Sequence, residues 1–501
     1  GGYDAAFASV TGHSVLDGGG AALSNRLLYI ANLTNLAMSN FVIQRGGSNA
    51  GTPSIDGSGV LVSNIGFSLL SNIIVSNCVS RDGGGINVVL CSNSVLSADV
   101  VRCTASNNGG GVQLFRSRDT ICSGTLGNNN ALTYGGGLLL YYCSNITVNA
   151  AIASNNGQYG GGVTLLWVTN STMNSTIASN YASGNGGGYY IYDGSGNTVN
   201  GLVTNNSAVV IGGGVSVEYT SNNIVNADVV YNKCAFGGGI SVYYANDTTV
   251  NSIIADNTAT SESGGGIFMT CDLRSRIYAT LLSNTAVASS GGGIALLSST
   301  NAIVSSSLYS NKAVTGGGVF VFSGSNNNFT SCYFSNNTAT WTNAIMHFSN
   351  VAAVRYPVTI SNCVFYGGGN NAIPMFEQTA EMTNHVIVSN CFYTNTLKYL
   401  YVDYGGPIIS NDQVSQLNIG KYFKHDATNA AFNIVMPRTI IASNTNSGVL
   451  YSDLQSAVHG ANDGNEIRVR DMVLTRTDEQ LNALALTNGV FITNKNNLRI
   501  I

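Results

Sequence analysis

General acid–base chemistry needs several carboxylates that converge, commonly with Arg, Lys, His or calcium beside them. This chain offers little of that. No His falls between His13 and His347, and between Asp119 and Cys271 the sole basic residue is Lys233. The acidic residues of that stretch are Asp193, Glu218, Asp228, Asp247, Asp256 and Glu262. The nearest approach to a pair is Asp193 with Glu218, 25 residues apart. Two carboxylates without a basic neighbour read as solvated turn residues. The calcium-binding nonapeptide of some β-helices is absent as well. The residues therefore predict no enzyme, no catalytic group, no cofactor and no metal.

The residues that could bind are aromatic. Phe115, Tyr141, Tyr142, Trp167, Tyr190, Tyr192, Tyr219, Tyr243, Tyr244, Phe320 and Phe322 recur at related places along the chain. Rings at odd offsets from a buried pair face outward from a strand. On that basis Trp167, Tyr190, Tyr192, Tyr219 and Tyr243 are expected to form a stripe that contacts glycans or a neighbouring filament. A ladder of stacked rings that only stabilises the sheet is the alternative. Cys103, Cys122 and Cys234 fall where other repeats place Asn, Val or Ala, and are expected to be buried thiols. The sequons at Asn32, Asn145 and Asn246 carry little weight in a chain so rich in Asn, Ser and Thr.

What positions these residues is a repeat. Gly-Gly-Gly begins at Gly83, Gly109, Gly135, Gly160, Gly186, Gly212, Gly237, Gly264, Gly291 and Gly316, at spacings of 25 to 27 residues. After each triplet come two apolar residues separated by one other, such as Val163/Leu165 and Val215/Val217. Period-two alternation is a strand with one buried face. Midway through the period an apolar residue is followed three positions later by Asn: Asn77, Asn129, Asn155, Asn180, Asn206, Asn232, Asn257, Asn284, Asn311 and Asn337. Cys103 interrupts the series. Stacked at the strand spacing of about 4.8 Å, such amides bond to one another as a ladder. Asn also tolerates the left-handed corner of a turning strand. A third apolar position runs through Leu96, Cys122, Val148, Met173 and Val199. Three short strands per period of about 26 residues predict an all-β, right-handed parallel β-helix.

The chain has 501 residues, of which only 9% are charged, and a net charge of −4. Ordinary soluble domains carry roughly 25% charged residues. So neutral a surface has no field to attract nucleic acid or anionic lipid, which excludes both as expected partners. No apolar run reaches the length of a membrane-spanning helix, so no membrane insertion is expected.

The paired marks resemble the GGAI and FxxN repeats of the polymorphic outer membrane proteins, autotransporter-type surface β-helices of the pectin-lyase-like superfamily. The resemblance spans roughly Ile74 to Asn390. The chain departs from it by a third Gly and by Ile, Leu or Val in place of most Phe, and no membrane-barrel pattern is read at its C-terminal side. The resemblance implies an extracellular or cell-surface location, with adhesion or fibre formation as the role.

The β-helix is expected over residues 1–400, an irregular last coil or cap over 401–450, and a β-helix-start segment over 451–501. In that segment a short capping helix presents Leu454, Ala457 and Val458, followed by a strand at Glu466–Val469. A cap near the C-terminus is in the wrong place for one unit. Leu498, Arg499, Ile500 and Ile501 read as a strand that continues into Gly1, Gly2, Tyr3 and Asp4 of a next unit. Head-to-tail partnership with itself, in tandem or in trans, predicts a filament. An arbitrary fragment boundary is the alternative. A structural filament is thus one expected function, a glycan-binding adhesin a second, and a polysaccharide lyase or hydrolase a third.

Overall fold

The computed structural model describes residues 12–19, 26–47, 56–341, 344–349 and 358–366, and beyond them short strands, the last at Arg499–Ile500. Leu454, Ala457 and Val458 lie outside the described residues, as do Gly1, Gly2, Tyr3, Asp4, Leu498 and Ile501. The described strands Glu466–Val469 and Arg499–Ile500 pair in parallel, Ile467 opposite Ile500.

Each coil climbs by one strand spacing and pairs in register with the next. The ten strands after the Gly triplets belong to a 15-stranded parallel sheet that runs from Leu28–Ala31 to Tyr401–Asp403. Val163, Tyr189 and Val215 are successive partners in it. A second sheet of 22 strands carries two of the sequence marks at once: Ser144–Ala153 holds both Val148 and Ile152. In later coils this strand breaks in two, as at Thr249–Val250 and Ile253–Ala255. The two marks therefore share one face rather than forming two. The third face is a sheet of 11 strands, most of two residues, directly after the ladder position, such as Thr258–Ala259. Its inward residues are small: Ala182, Ala208 and Cys234, then Ala259, Ala286 and Ala313. A single small residue per coil gives no apolar alternation, which is why the sequence hides this face.

The interior is one continuous apolar column, with Tyr189, Phe329, Phe334, Phe348 and Phe365 as its largest wholly buried side chains. Burying each Val, Leu or Ile contributes about 1.5–3 kcal/mol. Cys103, Cys122 and Cys234 lie in the interior or under the small face, and the nine described cysteines form no disulfide. Burial pushes the Cys122 and Cys234 thiols up to about 12. They behave as small hydrophobes.

Each Gly of a triplet has its own reason. In Gly186-Gly187-Gly188 the first takes φ +68°. A Cβ on Gly187 would stand 2.6 Å from the Ser207 carbonyl of the next coil, and a Cβ on Gly188 2.6 Å from the Gly214 oxygen. The coils meet backbone to backbone at this corner, so no side chain fits.

The Asn side chains from Asn129 to Asn337 form an unbroken buried ladder. In each, Nδ2 donates to the Oδ1 of the next: Asn129 to Asn155 at 3.1 Å, Asn155 to Asn180 at 3.0 Å, Asn180 to Asn206 at 2.9 Å and Asn206 to Asn232 at 3.1 Å. Asn232, Asn257, Asn284 and Asn311 continue it to Asn337 at 2.8–3.1 Å. The same Oδ1 accepts the backbone N–H of the coil below, and Nδ2 also donates to a carbonyl, as from Asn206 to Ile177 at 2.9 Å. Asn77 is not part of it. Asn77 is exposed at φ +53°, and its Oδ1 accepts from Arg102. Cys78 takes the inward place, one coil before Cys103. In the run Ile73-Ile74-Val75 the inward residues are Ile73 and Val75, and a one-residue slip exchanges the faces. The left-handed corner likewise falls on the residue before each ladder Asn, as at Asn128, Ser179 and Asn205, not on the ladder Asn itself.

Candidate binding groove

The strand after each triplet ends in a corner that repeats in every coil. Its first residue is left-handed throughout: Tyr142, Trp167, Asp193, Tyr219 and Tyr244 have φ of 54°, 51°, 51°, 54° and 48°. Three residues on, a second left-handed column is filled by Asn145, Asn170, Gly196, Asn222 and Asp247. Those types accept positive φ readily, whereas a bulky side chain there costs about 1–2 kcal/mol. Asn or Gly would relieve the first column too. Leu90, Arg116, Cys271, Ser298 and Ser323 take the same left-handed position in other coils, so the geometry belongs to the corner, and what distinguishes these coils is the rings.

These residues form one wall of an open groove of about 560 Å³. Tyr142 stacks on Trp167 with centroids 5.0 Å apart and 16° between planes, and Tyr219 on Tyr244 at 5.5 Å and 4°. The opposite wall is polar: Thr169, Ser195, Ser221 and Asn246, bridged coil to coil. The floor includes Gly194 and Thr220, and the Thr220 hydroxyl is buried with no hydrogen-bond partner among the described residues. Asp193 Oδ2 accepts the Trp167 indole N–H at 2.7 Å and so fixes that ring.

Of the five rings predicted to be outward, Trp167 and Tyr219 line the groove. Tyr192 and Tyr243 pack edge-on against Tyr219 at 5.5 and 5.6 Å, beside the groove. Tyr190 does not face solvent and is only 5% exposed. Tyr159, just ahead of a triplet, lies across Tyr190 at 5.2 Å, and Tyr134 stacks on Tyr159. Together with Leu139 and Leu166 they make a small second core outside the sheet. The groove rings and this second core are joined through Tyr192, which contacts Trp167, Tyr190 and Tyr219.

Glu218 is not a solvated turn residue. It is 5% exposed and held by Ser216 at 2.7 Å, Asn185 at 2.8 Å and the Tyr190 hydroxyl at 3.4 Å. Burial raises its pKa above the usual carboxylate range. Asp193 stays exposed, so the two carboxylates serve different surroundings. Sequence reading missed Asp193 as a member of the ring column, because its column-mate is Tyr219, 26 residues on, rather than Glu218. Counting from the triplets finds it.

The floor column continues through Ala245 to Asp272, which is 2% exposed. Burial pushes the Asp272 carboxyl up to about 7, while Ser275 donates to it at 2.9 Å. The unfolded chain releases this proton near 3.8, so the folded state binds more protons between 3.8 and about 7. Its contribution to stability is therefore complete below 3.8 and is lost as pH rises through 7. Asp272→Ser, the residue the next coil has at Ser299, is expected to raise the melting temperature at pH 8 by several degrees and change it little at pH 4. Thermal melts at the two pH values check this.

Among the described residues no group of three His, Cys, Asp or Glu could hold a metal ion, and no helix is long and apolar enough to cross a membrane.

A family model for the right-handed beta helix region matches residues 271–415. No curated protein matches the chain. Among solved structures it is similar to the crystal structure of a TibC-catalysed, hyper-glycosylated fragment of TibA, at 16% identity and a TM-score of 0.21, over 74% of this chain and 99% of that one. With its three parallel sheets, the chain is a right-handed parallel β-helix.

Proposed function

We propose that this β-helix is a surface or extracellular binding protein that holds a polysaccharide along the groove from Tyr142 to Tyr244. The observation that carries it is the ring column: flat faces kept at positive φ, opposite a row of hydroxyl and amide groups. A sugar ring offers the matching chemistry, with an apolar C–H face for the rings and hydroxyls for Thr169, Ser195 and Ser221. The groove is open along the helix axis and spans four strand spacings, roughly 19 Å, which suits a linear chain of a few sugars. An extracellular or cell-surface location accompanies the reading, and the paired repeat marks of surface β-helices support it. Head-to-tail assembly is the lesser reading, since of its junction residues only Arg499 and Ile500 are described.

Glycan-array screening followed by calorimetry tests the proposal. Trp167→Ala and Tyr219→Ala are each expected to weaken binding about tenfold or more, in the manner of central aromatic contacts. Tyr181→Ala, an exposed ring on the small face, is expected to change nothing. Equal affinity in all three variants would make the column a structural ladder only.

A further inference from the structure

Both walls of the groove run on past its rings, and each ends on an arginine. Arg116 takes the left-handed corner position one coil before Tyr142, at φ 51°. On the polar side Thr169 bridges to Ser144, and Ser144 pairs with Arg118. The two side chains thus leave one corner two residues apart, in line with the two walls. At the other end, beyond Tyr244 and Asn246, the same positions hold Cys271 and Leu273, which carry no charge.

Arg116 is placed by rings rather than by an ion pair. Its guanidinium carbon lies 5.1 Å from the centre of the Phe115 ring and 5.9 Å from that of Tyr142, so the cation sits at the foot of the ring stack. Arginines on comparable corners are neutralised, Arg45 by Asp17 and Arg274 by Asp247. Among the described residues Arg116 meets no carboxylate, and Arg118 reaches only its neighbour Asp119, at 3.8 Å with both side chains exposed. That separation is too long for a hydrogen bond, so both guanidiniums keep their N–H groups for a ligand. Two cations stand here against one carboxylate, and the next basic residue, Lys233, is exposed on the small face.

A guanidinium presents paired donors in one plane, which match the oxygens of a carboxylate or a sulfate. Asp193 limits how much negative charge the groove accepts. It is exposed in the ring column three coils from Arg116, roughly 14 Å along the axis. A glycan charged on every unit would set an anion against it. We infer that Arg116 and Arg118 form an end subsite for one anionic sugar unit, bearing a carboxylate or a sulfate ester, on a glycan that is otherwise neutral. This rests on the reading of the groove as a polysaccharide site and adds the charge pattern of the ligand.

The probes are the linear neutral tetrasaccharides of the array. Each is set beside the same chain with one hexuronic acid at either end, with one 6-sulfate at either end, and with uronic acid throughout. A singly charged form is expected to bind about tenfold more tightly than its neutral parent at low salt, and the gain is expected to shrink as salt rises. Whether the uronic or the sulfated end is preferred names the source of the charge. The uniformly acidic chain is expected to gain nothing over the singly charged one. Arg116→Gln combined with Arg118→Gln is expected to abolish the preference, with a melting curve that shows the variant folded. Equal binding of neutral and singly charged forms, a preference that survives the double variant, or tightest binding by the uniformly acidic chain would overturn the end subsite while the groove reading stands. Binding of no glycan at all would overturn both.

Discussion

Replacing Asn206 with alanine is expected to cost about 3–5 kcal/mol, because buried groups left without partners each lose about 1–3 kcal/mol. Asn206 Oδ1 accepts both the backbone N–H and the Nδ2 of Asn180, each at 2.9 Å. Its own Nδ2 donates to the Ile177 carbonyl at 2.9 Å and to Asn232 at 3.1 Å. No water reaches these groups to replace it. The chain carries its own control in an outer Asn ladder: Asn200 donates to Asn174 at 2.8 Å and accepts from Asn226 at 3.2 Å, in contact with solvent. Asn200→Ala is expected to cost only about 0.5 kcal/mol, as surface changes usually do. In a solenoid each coil contacts its neighbours alone, so the damage is local. Hydrogen exchange read by mass spectrometry should show protection lost around coils 177–232 in Asn206→Ala and unchanged in Asn200→Ala. Similar exchange in both variants would remove the buried ladder as a principal stabiliser.

Gly187→Ala is expected to be as damaging, by a different route. The new methyl would overlap the Gly213 oxygen and stand 2.6 Å from the carbonyl group of Ser207, all of it backbone. The coils cannot part to admit it, since Gly187 N–H bonds to the Gly212 oxygen at 3.1 Å and Gly188 N–H to the Gly214 oxygen at 3.1 Å. Overpacking of this kind costs about 3 kcal/mol or more where nothing flexible can yield. Gly127→Ala is the counterpart: its nearest neighbour would be 3.7 Å away, at ordinary φ. That change is expected to stabilise by about 0.4–1 kcal/mol through the unfolded chain. Denaturant midpoints of the two variants should move in opposite directions, and a shift of the same sign would show that close approach at the triplet corner does not set the coil spacing.

The two substitutions also mark how far the sequence could be read. The triplets and the period-two pairs after them define ten of the strands in the 15-stranded sheet without ambiguity, because a glycine corner and an alternating strand have local signatures. The buried Asn are legible for the same reason from Asn129 onward. Asn77 is where local reading fails: three consecutive apolar residues, Ile73, Ile74 and Val75, fit either phase, and only pairing with Val100 selects Val75 as the inward one. The short third face left no trace at all, since Ala182, Ala208 and Ala259 are too small to stand out in an alternating pattern.

The groove is divided in the same way. Trp167 and Tyr219 were visible as outward rings, but Tyr190, on the same outer face, is closed over by Tyr159 from the preceding coil. Asp193 acquired a role only when the coils were stacked, since its neighbours Trp167 and Tyr219 lie a full turn away on either side. Repetition wrote the β-helix into the sequence by itself: every coil solves the same packing problem, so the solution appears again and again at a fixed period. The candidate groove was decided by the tertiary structure. It is made of residues that differ from coil to coil, and stacking at one strand spacing turns a scattered set of Tyr, Trp, Ser and Asp into the lining of one groove.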